Sequence, residues 1–292
     1  MRLAITGATG FVGRFVVAEA LFAGDCVTAI GPRPPDPGLF ATRLAHREHD
    51  LAGPAPDLSG LDAVVHAGFW HRPGRYRGGE GDDPEGFVRR NRDGTLRLIE
   101  AARRAGLGRF VFLSSRAVYD GYPPGTTLTE DMPARPDTLY GRIKVEIEEA
   151  LAALSGPGFR TISLRPTGIY GPAAPGKAHK WREMFRQALA GVAPAPRVAT
   201  ELHGRDLADA VRLSLSGRAD ATPALNLSDL VLDRRDLLAL LAAVTDRVVA
   251  LPERADKSLV SAMDTARARA LGWAPGGWRQ LYETMPLLVP GG

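Results

Sequence analysis

Short apolar runs alternate with amphipathic stretches through the first two thirds of the chain. Residues 2–6, 26–30, 63–67, 109–114 and 161–165 are rich in Val, Ile and Phe and end at turn residues, which predicts strands. Between them the apolar period lengthens to that of helices over 11–22, 84–105 and 138–154. Strands that are apolar on both faces and alternate with helices predict an α/β chain whose parallel sheet is covered on both sides. Gly106-Leu107-Gly108 reads as a helix C-cap and a short link into the next strand. After Arg165 the pattern loosens. Pro and Gly cluster over 166–176, and helices are expected at 178–190, 206–216 and 233–244, the last two with acidic starts. A Pro-rich loop is expected at 192–196. The expected organisation is a sheet domain over residues 1–165 and a smaller lobe over 166–292, some of whose segments return to the sheet. Residues 71–83, rich in Gly and Arg, are expected to form a mobile loop.

Composition adds mostly exclusions. With 292 residues, 45% apolar and 24% charged, the chain can bury a sizeable core without staples. The single cysteine, Cys26, rules out an intramolecular disulfide, and no Cys/His cluster has metal-ligand spacing. Lying in a strand, Cys26 is expected to be a buried core thiol. The net charge of +4 raises the question of nucleic acid. However, only four cations are Lys against 33 Arg, and they are spread along the chain rather than gathered in a stripe. No nucleic-acid partner is expected. No apolar run approaches the ~18 residues of a membrane span, so no membrane partner is expected either. The first strand runs directly into a glycine-rich turn with no leader pattern, and a cytoplasmic protein acting on a small molecule is expected.

That turn is Thr6-Gly7-Ala8-Thr9-Gly10-Phe11-Val12-Gly13. Glycines three apart let the chain turn tightly, let backbone approach a pyrophosphate, and let helix and strand pack closely. The helix start supplies N–H groups and a positive dipole to phosphates. Placed between a strand and a helix, the motif predicts a Rossmann-type dinucleotide site using Gly7, Thr9, Gly10, Phe11 and Val12. In such sites a carboxylate at the end of the second strand selects NAD. Here that strand ends at Gly31-Pro32-Arg33, and Asp36 comes later. Arg33 is therefore expected to contact a 2′-phosphate, with Arg14 as a second cation, and NADP is favoured over NAD.

Tyr140 and Lys144 are spaced i, i+4 on a predicted helix and share a face. A phenol is a poor base near neutrality, with a reference pKa of about 10. A neighbouring ammonium favours the phenolate, after which Tyr140 can exchange a proton with a carbinol or carbonyl as hydride moves. Lys144 can also reach ribose hydroxyls. Finding one of four Lys at this position is the check. Ser115 ends an apolar strand at the edge where parallel sheets bind ligands and is expected to hold the reacting oxygen toward Tyr140. His66, in a buried strand, is expected to be a satisfied core imidazole. Trp70 and Tyr122, after strand ends, either line the substrate pocket or simply pack.

The spacing Gly-x-x-Gly-x-x-Gly, with Val64-Val65-His66-Ala67-Gly68, Asn91-Arg92-Asp93-Gly94-Thr95, Ser114-Ser115-Arg116-Ala117-Val118-Tyr119, Tyr140-Gly141-Arg142-Ile143-Lys144, Arg165-Pro166-Thr167-Gly168-Ile169-Tyr170-Gly171-Pro172 and His203-Gly204-Arg205-Asp206-Leu207, resembles the extended short-chain dehydrogenase/reductase family of NAD(P)-dependent epimerases and dehydratases. The resemblance implies that Ala67 and Gly68 line the dinucleotide groove, that Asp50 and Leu51 sit beside the adenine, and that Pro166 and Ile169 flank the nicotinamide. It counts Ser114 among the cofactor-lining residues, and alignment on Val118-Tyr119 favours Ser115 over Ser114 as the catalytic hydroxyl. It also implies architectural roles for Asn91 and His203, and a homodimer through two helices of each subunit.

Three departures narrow the reaction. Arg116 and Ala117 stand where dehydratases of the family place Asp-Glu. Cys26 lies far from the site, so the Cys/His chemistry of the family's epimerase-reductases is disfavoured. Ala199-Thr200-Glu201-Leu202 lacks the Arg that helps many members hold a diphosphate. What the resemblance implies is hydride transfer on a sugar nucleotide or related sugar, epimerase- or reductase-like. A dehydrogenase of a small free sugar or sugar acid is the alternative, since Pro133-Ala134-Arg135-Pro136-Asp137-Thr138-Leu139-Tyr140 is similar to uronate dehydrogenases. A cofactor-sensing regulator on the same fold would have lost the Tyr/Lys pair, which this chain keeps.

Overall fold

The fold is seen in a computed structural model that describes residues 1–72 and 78–289. The expected strands form at β1 (Arg2–Thr6), β2 (Cys26–Gly31), β4 (Ala63–His66), β5 (Arg109–Leu113) and β6 (Arg160–Pro166), with an unexpected β3 (Ala45–Glu48) between the second and third of these. They join β9 (Ala224–Leu227) in a seven-stranded parallel sheet of order β3-β2-β1-β4-β5-β6-β9. The strand order reverses between β1 and β4, and it is there, outside the carboxyl ends of the strands, that doubly wound sheets take their ligands.

Alternation along each strand sorts the core into two layers. Leu3 and Ile5 of β1 pack with Val65, Val111, Leu207 and Val211 under α1 (Gly13–Phe22) and α6 (Gly204–Leu215). Ala4 turns the other way and packs with Val64, Phe110, Phe112, Leu98 and Ile147 under α3 (Gly94–Arg104) and α4 (Leu139–Leu154). Each such buried side chain contributes about 1.5–3 kcal/mol, so this double sandwich is what fixes the sheet edge in space. The stretch expected as one helix over 84–105 is instead α2 (Pro84–Val88), a π-helical turn Arg89–Asp93, and α3. Asn91 lies in that turn, fully buried. Its side chain accepts from Trp70 N and donates to the carbonyls of Trp70 and Phe87.

Beyond β6 a second, three-stranded sheet of order β10-β8-β7 stands against the first, built from β7 (Gly168–Tyr170), β8 (Val198–His203) and β10 (Leu230–Asp233). Its core joins Tyr170, Trp181, Leu230 and Leu232 to α5 (Arg182–Leu189), α7 (Arg234–Thr245) and the C-terminal α9 (Gly277–Thr284). A short α8 (Ala266–Ala270) completes the helices of the described residues.

Two readings need correction, and the open choice for Trp70 and Tyr122 resolves. Cys26 is exposed, because it is the first residue of β2, on the rim of the sheet rather than within it. Arg14 turns away from the second strand and donates to Pro172 O at 3.0 Å. Trp70 packs on Phe87 under the Arg90 guanidinium rather than lining a pocket, whereas Tyr122 does line one. The loop expected over 71–83 falls in part, at 73–77, outside the described residues.

Candidate active site

The glycine turn is shaped by close approach. Gly7 has φ +66°, and a Cβ there would lie 2.8 Å from Ala67 C and O and from Gly68 Cα. A Cβ on Gly13 would lie 2.1 Å from Gly7 O, so only glycine lets α1 start this close to β1. On Gly10 a Cβ would meet nothing but Gly7 O, and the turn stays open on its outer side. No side chain caps α1; Arg14 N–H and Phe15 N–H donate to Gly10 O and Val12 O, and the helix start keeps the positive end of its dipole at the glycine turn. The cradle therefore suits a pyrophosphate. Behind it, Gly68 N–H donates to Thr6 Oγ1 at 3.0 Å, and Thr6 lies 2.7 Å from His66 Nδ1. His66 Nε2 lies 2.9 Å from Thr95 Oγ1, which donates to Asn91 O. Thr6 and Thr95 each have one proton to give, so His66 is neutral with the proton on Nε2. Burial holds it so, pushing its pKa down to about 3.

Tyr140, Lys144 and Ser115 meet at the carboxyl end of β5. Thr138 Oγ1 accepts from Gly141 N at 3.1 Å and so starts α4 at Leu139. A Cβ on Gly141 would lie 2.6 Å from Ala117 O. This glycine lets α4 close on the 3₁₀ turn Arg116–Tyr119, which follows Ser115 directly. Ser115 Oγ accepts from Ala117 N at 3.1 Å, capping that turn and leaving its own O–H to donate elsewhere. Ser115 is thus a cap and a candidate donor at once.

Lys144 is buried. Its Nζ donates to Leu113 O at 2.7 Å and stands 4.4 and 4.5 Å from the Phe69 and Phe112 ring centres and 5.5 Å from that of Tyr140. Burial, opposed by the Glu148 carboxylate one turn on, brings its pKa down to about 7. The Tyr140 ring stands edge-on to Phe69. Ser114, unlike Ser115, points inward and donates to Glu148, which is paired with Arg165; Arg165 in turn donates to Tyr119. This buried chain braces β5, α4 and β6 from behind.

One cavity of about 1000 Å³ joins these groups. Phe11, Val12, Ala67, Ser114, Ser115, Tyr140, Lys144, Pro166 and Ile169 line it. Gly7, Thr9, Gly10, Arg33, Asp50, Leu51 and Gly68 do not. Arg33 is exposed just beyond β2, and Asp50 and Leu51 lie just beyond β3, at the same sheet edge. Asp50 uses its carboxylate to accept from Ala52 N, and Leu51 O accepts from Arg97. The cavity is also lined by residues that the sequence reading missed: Lys180, Arg197 and Arg234, with Glu201 ion-paired to Lys180. Among the described residues no group of His, Cys, Asp and Glu could hold a metal, and no helix is long and apolar enough to cross a membrane.

The chain is 31% identical over 178 residues to UDP-glucose 4-epimerase of Corynebacterium glutamicum, covering 59% of this chain and 52% of that protein. It is 32% identical over 183 residues to dTDP-6-deoxy-L-talose 4-dehydrogenase (NAD(P)(+)) of Kitasatospora kifunensis, covering 60% and 54%. The chain thus spans about half the length of the curated relatives it matches. Among solved structures, MoeE5 in complex with UDP-glucuronic acid and NAD superposes with a TM-score of 0.77 at 26% identity, over 98% of each chain. Residues 3–222 match the NAD dependent epimerase/dehydratase family, and the chain belongs to that family.

Proposed function

We propose that this protein is an NAD(P)-dependent oxidoreductase that transfers hydride at a carbinol or carbonyl carbon of a sugar nucleotide or related sugar, as an epimerase or reductase rather than a dehydratase. The observation that carries it is the shared cavity, which Tyr140, Lys144 and Ser115 line together with Phe11 and Val12 of the glycine turn. A bound nicotinamide would accept or supply the hydride. Tyr140 then exchanges the proton of the reacting oxygen, Lys144 stabilises the phenolate from below, and the Ser115 hydroxyl holds that oxygen in place. Burial lowers the Lys144 pKa to about 7, and in its charged form the ammonium acts on Tyr140 across an aromatic wall with little screening.

Two Arg side chains, Arg197 and Arg234, line the cavity, as recognition of a diphosphate would require. This favours a nucleotide-linked sugar over a free one. The named relatives act on UDP-glucose and on a dTDP-sugar, which agrees. Water loss is disfavoured because Arg116 and Ala117 offer no carboxylate where it would be needed. Arg116 itself is tied to Asp120 and to Ser261 O.

The test is a panel of UDP- and dTDP-sugars with either cofactor, followed by mass spectrometry and cofactor absorbance. Epimerised, oxidised or reduced sugar nucleotide is expected. A dehydrated 4-keto-6-deoxy product would overturn the reaction class, and turnover of free uronates alone would overturn the nucleotide.

A further inference from the structure

Lys180 and Glu201 are an ion pair that the proposed chemistry does not use. Glu201 lies on β8 in register with Gly168 of β7. A Cβ on Gly168 would lie 3.2 Å from Glu201 Oε2 and 3.4 Å from Lys180 Nζ, so the pair sits directly over the glycine's backbone. Gly168 adjoins Ile169 and is two residues from Pro166, and all three line the cavity. From Arg197, the residue just before β8, the order is Arg197, Val198, Ala199, Thr200, Glu201, and four residues of extended chain span about 13 Å. Arg197, Ala199 and Glu201 share a face by the pleat, with small Ala199 leaving space between the two charged residues.

The cavity therefore runs from the reacting end, past the Lys180–Glu201 pair, to Arg197 and Arg234. The Glu201 side chain is only 9% exposed and that of Lys180 33%. Burial pushes the Glu201 carboxyl up and the Lys180 amine down, each opposed by the other. A pair buried this far is often no more stabilising than two apolar residues of similar size, so stability gives no reason to keep it on a cavity wall.

We infer that Glu201, held by Lys180, determines specificity by accepting hydrogen bonds from the hydroxyls of a neutral sugar ring lying between the reacting end and the two arginines. This rests on the sugar-nucleotide reading proposed above. A carboxylate accepts two O–H groups at full strength, whereas a diphosphate or acidic sugar placed against it would be repelled. Lys180 holds the carboxylate ionised and has further N–H groups for a ring oxygen.

The experiment is calorimetric titration of UDP-glucose and of UDP into NAD⁺-saturated protein, wild type and Glu201→Gln. Wild type is expected to bind UDP-glucose more tightly than UDP. In E201Q, UDP-glucose affinity is expected to fall at least tenfold and UDP affinity less than twofold. Equal losses, no loss, or no preference for UDP-glucose in wild type would overturn the inference while leaving the broader reading in place. Binding of neither ligand by wild type would overturn that broader reading and this inference with it. The double variant Lys180→Met/Glu201→Leu is expected to keep its thermal midpoint and lose the preference. Collapse of both variants' folding would assign the pair to the fold and overturn the proposal.

Discussion

At the reacting end of the cavity the main chain holds each group. Lys144 donates to Leu113 O, Ser115 accepts from Ala117 N, and Gly141 brings the helix of Tyr140 against Ala117 O. The rest of the cavity, from the Lys180–Glu201 pair to the two arginines, is built differently. Lys180 precedes α5, Glu201 is on β8, and Arg234 opens α7, so their geometry depends on side chains meeting across a small sheet. The first end is braced by the two-sided core of the large sheet and by the chain from Ser114 to Tyr119. The second rests on a smaller core, and its charges face the cavity. Proton transfer needs geometry fixed to fractions of an ångström, whereas recognition can be rebuilt by exchanging side chains. Substitutions at the first end should therefore move kcat, and at the second KM.

The largest effect is expected for Tyr140→Phe. Turnover should fall by ~10²–10⁴, the usual contribution of a placed acid–base group, with cofactor affinity within twofold of wild type. Turnover within tenfold of wild type would break the comparison at its stronger end. Lys144→Arg should be nearly as impaired, since a planar guanidinium cannot fit under Phe69 and Phe112 as an ammonium does.

Lys144→Met separates function from stability. The folded protein releases the Lys144 proton at about 7, while the unfolded chain keeps it to about 10.4. Between these values the unfolded state binds more protons, so stability rises with pH, by up to ~1.4 kcal/mol per unit. Below pH 7 both states are protonated, and the burden of the buried charge is constant. Urea unfolding at pH 6.5 and 9.5 should show wild type gaining stability relative to the variant. Parallel pH profiles would mean that Lys144 is not the buried amine described.

At the other end, Arg197→Ala and Arg234→Ala should each raise KM for a sugar nucleotide by roughly 10–100-fold, the loss of one charged hydrogen bond, with kcat within twofold. A collapse of kcat at constant KM would erase the distinction between the two ends.

The same division governs what the sequence reveals. Five strands of the large sheet and the Tyr140 helix are legible because their apolar period is set by two-sided burial. β3 reads Ala-His-Arg-Glu and β8 Val-Ala-Thr-Glu-Leu-His, and neither carries an apolar run; both are strands because a neighbour offers them a ladder. Glu201, Arg197 and Arg234 carry no signal in the sequence because only the fold brings them together. Lys180 did carry a signal, since the scarcity of Lys that singles out Lys144 applies to it as well. Cys26 misled because strand membership does not say whether a residue lies at the rim.

The smallest expected effect concerns the cofactor, at the sheet edge farthest from the chemistry. No carboxylate ends β2 itself: Gly31 is followed by Pro32 and Arg33, and the nearest strand-end carboxylate is Glu48 of β3, in register with Gly31. Arg14 cannot help, being bound to Pro172 O. Arg33 is left as the cation of that edge, and it is exposed, so salt and water screen whatever it does. An exposed ion pair is worth only a two- to fivefold change in affinity, roughly. Titration of NADP⁺ should accordingly show a two- to fivefold loss in Arg33→Ala at low salt, shrinking as salt is raised, while NAD⁺ binding is unchanged. Wild type should bind NADP⁺ at least as well as NAD⁺. A clear NAD⁺ preference, or an Arg33→Ala loss that is equal for both cofactors, would show that the edge of β2 does not read the 2′ position. Selectivity would then have to come from elsewhere along the groove.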